Sequence, residues 1–113
     1  MADDAIVASV RRYLRALNER GIPAKTGVLF GSWARGHAEE WSDIDLIVLS
    51  SAFDGDADRE ALVNQLWRVA ARTDSRIEPI ACGEHQWVED RTSALIEIAR
   101  REGVPVTLDE RSQ

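Results

Sequence analysis

The sequence predicts an α+β fold: a small mixed β-sheet of about four strands flanked by helices, in a single domain spanning residues 1–113. Three observations lead there. At 113 residues the chain has the usual size of one domain and enough length to bury a core. Apolar runs of strand length alternate with amphipathic stretches of about ten or more residues, the pattern of a sheet covered by helices. With 44% apolar and 30% charged residues, three Pro and seven Gly, the balance is that of a globular protein rather than a disordered one.

Each element has its own local signal. Asp3 or Asp4 can cap a first helix, whose Ile6, Val10, Tyr13, Leu14 and Leu17 recur at helical spacing before Gly21 and Pro23 stop it. Lys25 to Phe30 reads as a short strand ending at Gly31, and Ser32 to His37 as one or two helical turns with Ser32 at the N-cap. After a loop at Glu39, Glu40, Trp41 and Ser42, the stretch Asp43 to Leu49 is the strongest strand pattern. Ile44, Leu46 and Val48 share one of its faces; Asp43, Asp45, Ile47 and Leu49 share the other. Ser50 to Asp56 reads as a polar loop. Arg59 to Arg72 reads as a helix with Leu62, Val63, Leu66, Val69 and Ala70 inward, and Trp67 in its apolar stripe is expected in the core. Arg76 to Ala81 is a third strand, with Pro79 placing it at an edge or a strand end. Glu84 to Asp90 carries no clear period, although Trp87 and Val88 are expected to pack. Thr92 to Arg101 is a last helix stopped by Gly103, and Val104 to Leu108 a final short strand.

Charge and cysteine content exclude several classes. The formal net charge is −6, from 14 basic and 20 acidic residues, which disfavours general nucleic-acid binding. Cys82 is the only cysteine, so no intrachain disulfide or cysteine metal cluster forms, and a cytoplasmic setting is expected. Asp3, Asp4, Arg11, Arg12 and Arg15 interrupt the first twenty residues, so neither a signal-peptide core nor a membrane span is expected.

The chemistry concentrates in two segments. Asp43 and Asp45, two apart on a strand, place both carboxylates on one side with Cα atoms about 6–7 Å apart. Like charges so placed repel, and a hard divalent cation such as Mg²⁺ relieves the repulsion while keeping positions open for substrate phosphates. Upstream, Leu29-Phe30-Gly31-Ser32 runs from a strand into a turn that opens a helix. Gly31 lets a phosphate approach the backbone, and Ser32 offers a hydroxyl beside free N–H groups. A phosphate-binding turn next to a carboxylate pair is the equipment of phosphoryl or nucleotidyl transfer.

Gly31-Ser32-Trp33-Ala34-Arg35-Gly36, with ten residues between the serine and Asp43-Ile44-Asp45-Leu46-Ile47-Val48, resembles the Gly-Ser…Asp-x-Asp signature of the DNA polymerase β superfamily of nucleotidyltransferases. The short chain, Ser42-Asp43-Ile44-Asp45-Leu46-Ile47-Val48 and the ending Arg101-Glu102-Gly103-Val104-Pro105-Val106 resemble most the minimal nucleotidyltransferases, often the antitoxin half of a pair with a HEPN-domain toxin. The resemblance covers roughly Lys25 to Val106 and implies the nucleotidyltransferase fold. It implies that Asp43 and Asp45 hold two Mg²⁺ ions and that Glu78, in Arg76-Ile77-Glu78-Pro79-Ile80, completes the set and helps deprotonate the acceptor. Glu78 is one methylene longer than the Asp more usual there, and its other reading is a solvent-facing edge glutamate. Gly31 and Ser32 would hold the terminal phosphates of ATP, while Arg35 would either contact phosphate or brace the loop.

The function so implied is transfer of AMP to a tyrosine hydroxyl of the HEPN toxin, within a hetero-oligomer. Two other functions stay open: neutralisation of the partner by binding alone, and transfer to a small molecule of the aminoglycoside type. His37 reads as a surface histidine, His85 has no spaced zinc partner, and Cys82 reads as a small buried hydrophobe. Trp33 and Trp41 can stack on a base, pack locally or meet a partner, and Trp87 can face a partner. Arg100 and Arg101 read as a complement to a helix C-terminus.

Overall fold

In a computed structural model, residues 4–36, 38–39 and 41–108 are described. Helix α1 (Asp4–Glu19) buries Ile6, Ser9, Val10, Tyr13, Leu14 and Leu17 along one face, the face its sequence periodicity predicts; Asp3 lies outside the described residues. Tyr13 is fully buried, and its hydroxyl donates to the Leu66 carbonyl at 2.9 Å. A phenol cannot enter a core without such a partner, and burial pushes its pKa well up. Beyond α1 the chain reverses at Gly21, whose φ of +91° favours glycine. The Asn18 side chain donates to the carbonyls of Leu14 and Ala24, tying the end of α1 to the start of the sheet.

Four strands follow: β1 (Thr26–Phe30), β2 (Ile44–Leu49), β3 (Ile77–Cys82) and β4 (Val104–Thr107). They form one mixed sheet in the order β3-β2-β1-β4. β1 runs antiparallel to β2 and β4, while β2 and β3 are parallel, joined through helix α3 (Arg59–Thr73). Such a crossover is what parallel neighbours require. Both edge strands carry a proline, Pro79 and Pro105, which hinders pairing with a further strand.

Strand alternation divides the core in two. On one face Leu29, Ile44, Leu46, Val48, Ile77 and Val106 pack with α1 and α3. On the other, Val28, Ile47, Leu49 and Cys82 pack with Ile96 and Ala99 of helix α5 (Ala94–Glu102). The helix cover on this second face leaves Phe30, Asp45 and Glu78 only partly buried.

Several boundaries differ from the sequence reading. β2 begins at Ile44, so Asp43 stands just before the strand and is exposed. Helix α2 (Ser32–Arg35) has Gly31 at its N-cap and Ser32 as its first helical residue. Residues Ser51–Asp54 form a 3-10 turn, with Ser50 Oγ accepting from the Ala52 N–H. Glu84–Glu89 is a helix, α4; the Asp54 carboxylate accepts from the His85 N–H at 2.9 Å, capping it from 31 residues upstream. Trp67 is 47% exposed, contrary to expectation: Leu66, Val69 and Ala70 alone make the buried stripe of α3, and Trp67 falls one position outside it.

Candidate active site

Three strands bring the motif residues to one end of the partly covered sheet face. Phe30 on β1 pairs with Asp45 on β2, and Asp45 pairs with Glu78 on β3. Cross-strand partners point to the same side and lie within about 5 Å of one another. Glu78 is therefore beside Asp45, on an edge strand but not a solitary solvent-facing residue. Asp43, two residues before Asp45, is within hydrogen-bonding reach of the Glu78 carboxyl. Glu78 titrates above the ordinary carboxylate range, first because of the side-chain contact with Asp43, then through desolvation and the charges of Asp43 and Asp45.

The turn after β1 closes the group. Gly31 has a φ of +75°, and a Cβ built there would stand 2.4 Å from Asp45 Oδ2. The glycine therefore does two things: it adopts a backbone conformation that other residues rarely reach, and it leaves room for the Asp45 carboxylate against the chain. Ser32 is exposed just beyond it. α2 has four residues, too few for a substantial dipole, so any anion attraction there rests on the backbone N–H groups of its first turn. Arg35 is described through its backbone only, and His37 and Glu40 lie outside the described residues.

The donor chemistry of Asp43, Asp45 and Glu78 suits a hard divalent cation: three carboxylates with oxygen donors only, brought together at one end of the sheet. Among the described residues, however, no three His, Cys, Asp or Glu side chains already converge as a formed metal cage.

A network that the sequence reading did not single out stands behind Asp43. Asp74 receives two hydrogen bonds from the Arg76 guanidinium, at 3.0 and 2.7 Å, and one from Ser9 Oγ at 3.0 Å. Arg76 holds its carboxyl well below the usual range, at about 2. The Arg76 guanidinium carbon lies 5.8 Å from the centre of the Trp33 ring. Trp33 packs against the main core and donates its indole N–H to the Ser42 carbonyl at 3.2 Å. Of the readings open for Trp33, local packing is thus the one observed. The sequence cue was Asp74-Ser75-Arg76 just before a strand, a local pattern that does not by itself reveal Trp33 as a neighbour.

The remaining candidates separate from this site. Trp41 is 74% exposed. Trp87 packs against the second core, with Arg100 over its ring and donating to its carbonyl. Arg100 also donates to the Asp90 carbonyl and to Glu97, so it braces the α4–α5 junction. Cys82 is buried, and desolvation raises its thiol to about 11, as for an inert core residue. His85 lies 3.5 Å from Glu89, beside a hollow of about 300 Å³ lined by Glu84, His85, Val88 and Glu89, on α4 and apart from the carboxylates. Among the described residues no helix is long and apolar enough to cross a membrane.

Comparison with known proteins gives the family and the fold. A family profile described as a nucleotidyltransferase domain matches residues 10–103. No curated protein matches the sequence. Among solved structures, the chain is similar to a toxin–antitoxin crystallised with AMP-PNP, at 21% identity and a TM-score of 0.58, over 90% of this chain and 76% of the other. It is also similar to a candidate nucleotidyltransferase from Sulfolobus solfataricus, at 16% identity and a TM-score of 0.55, over 88% and 77% of the two chains. At these identities the structural likeness establishes the shared fold.

Proposed function

The chain belongs to the nucleotidyltransferase domain family, and from that membership we infer that it is a metal-dependent nucleotidyltransferase that moves AMP from ATP to a hydroxyl of a partner protein. The observation carrying this is the register that sets Asp45 between Phe30 and Glu78, with Gly31 against its carboxylate and Asp43 against Glu78.

In this reading the backbone around Gly31 and Ser32 takes the terminal phosphates, with the Ser32 hydroxyl as a further donor. Asp43, Asp45 and Glu78 would hold Mg²⁺, which would supply positive charge to offset the negative charge that develops during the displacement. The acceptor oxygen attacks the α-phosphate, pyrophosphate leaves, and Glu78 takes the acceptor proton. The partly exposed sheet face lets a large acceptor approach. The resemblance to minimal nucleotidyltransferases, the AMP-PNP-bound toxin–antitoxin neighbour and a net charge of −6 that suits a basic partner together favour a HEPN-type toxin as acceptor, modified on tyrosine and thereby neutralised.

One observation favours a second reading, neutralisation by binding alone: the net charge of −6 suits docking on a basic partner without any transfer. The double variant Asp43→Asn, Asp45→Asn separates the two. If catalysis neutralises the partner, the variant still binds it but fails both to transfer labelled AMP and to protect cells. Full protection by a variant that transfers nothing supports occlusion instead.

A further inference from the structure

Asp43 precedes β2, so the sheet ladder does not hold it directly. Its backbone is held through its two chain neighbours. The Ser42 carbonyl accepts from the Trp33 indole N–H at 3.2 Å. The Ile44 N–H donates to the Arg76 carbonyl at 2.8 Å. Trp33 and Arg76 are themselves in contact, with the guanidinium over the ring. Arg76 is in turn fixed by Asp74, whose side chain is 11% exposed and is also bound by Ser9 of α1. Trp33 follows Gly31 and Ser32 directly, so the same contact reaches the turn on the other side of the site.

We propose that Arg76 and Trp33 are positioning residues that together hold Asp43 at a fixed place relative to the Gly31–Ser32 turn. The inference rests on the nucleotidyltransferase reading for its catalytic consequence but not for its structural content. Neither side chain touches substrate in this account. They act through the peptide groups on either side of Asp43, and Asp74 acts through Arg76. A planar guanidinium that is bidentate on a carboxylate and lies on an aromatic face leaves fewer arrangements open than an ammonium would. Displacing a group about 1 Å from its productive position can cost about a hundredfold in rate.

Two conservative variants test this on the intact chain. Trp33→Phe keeps a ring for Arg76 and removes the N–H to Ser42. Arg76→Lys keeps the charge and removes the bidentate pairing with Asp74. Arg59→Lys serves as a control, because Arg59 lies over Phe53 and bonds the Ala81 carbonyl, at the far end of β3. Hydrogen–deuterium exchange reads positioning without requiring activity. Both variants should speed exchange over residues 41–46 by about tenfold or more while residues 26–30 and 77–82 keep wild-type protection; the control should leave residues 41–46 unchanged. In transfer assays kcat should fall about tenfold to a hundredfold, half-activation should need more Mg²⁺, and KM for the partner should not move. Unchanged exchange over residues 41–46, or an equal rise across the whole sheet, overturns the proposal. Wild-type kcat and Mg²⁺ dependence in both variants overturn its catalytic part. A wild-type chain that transfers no nucleotide contradicts the nucleotidyltransferase reading, and the exchange result still decides whether the clamp exists.

Discussion

Asp43, Asp45 and Glu78 form a cluster of like charge that folding brings together against its own electrostatics, since Glu78 is raised by both neighbours. Replacing Asp43 with Asn should therefore leave the melting temperature in metal-free buffer unchanged or slightly higher, the pattern of a site where function opposes stability. The same variant should lose the rise in melting temperature that Mg²⁺ or Mn²⁺ gives the wild type, and transfer should fall at least about a hundredfold. Wild-type stabilisation by metal in the variant would contradict the assignment of Asp43. Gly31 makes a second test. An alanine Cβ would stand 2.4 Å from Asp45 Oδ2 at a φ of +75°, so Gly31→Ala should cost about 1–3 kcal/mol in denaturant unfolding. It should also lower activity by displacing Asp45. At this scale the sequence was informative because the Gly-Ser and Asp-x-Asp segments each carry their chemistry locally. The register that sets Glu78 beside Asp45 is a property of the sheet, and no local pattern encodes it. The resemblance alone pointed to Glu78, and the Arg76–Trp33 contact went unnoticed.

Among the elements, those read correctly carry their own signals. α1 has its period, β2 its alternation, and α5 its stop at Gly103. α4 has only a weak local start signal, Gly83 with its N–H donating to Gln86 Oε1 at 3.3 Å, and the carboxylate that accepts from its His85 N–H is Asp54, on a different segment. α3 was legible as a helix but not in its rotation: Leu66 is fully buried and Trp67 is not. Leu66→Ala should accordingly cost about 2–5 kcal/mol, whereas Trp67→Gln should cost less than about 1 kcal/mol. Denaturant unfolding of the two variants checks the ordering. Asp74 links α1 to the start of β3 through Ser9 and Arg76. Its folded value of about 2 lies below the ordinary 3.8, so its contribution is complete above about pH 4 and is lost as pH falls from there through about 2. Solvent reaches Arg76, whose side chain is 31% exposed, so the contribution is about 1 kcal/mol rather than the larger value the full shift would suggest. Asp74→Asn should be less stable at pH 7 by about that amount and should lose less stability than the wild type between pH 4 and 2. An identical acid profile in the two proteins would remove Asp74 from the account.

At the scale of the whole molecule, a four-stranded mixed sheet with α1 and α3 on one face and α4 and α5 near the other leaves one end of the second face for chemistry. That placement follows from strand parity: Ile47 and Leu49 share a face with Asp45, and the same alternation that buries the first two under helices presents the third at the end of the cover. Part of the net charge of −6 is thereby located at a site where a cation would offset it, and the rest is available to a basic partner. Nucleotide transfer to a protein is measured by the intact masses of the purified chain and a HEPN-domain protein that binds it, after incubation together with Mg²⁺ and each NTP in turn. The partner should gain the mass of one or more AMP groups with ATP and Mg²⁺, and should gain nothing when EDTA is present or when Asp43→Asn, Asp45→Asn replaces the wild-type chain. An unmodified partner that is nonetheless neutralised, or equal modification by the double variant, would contradict transfer by this site.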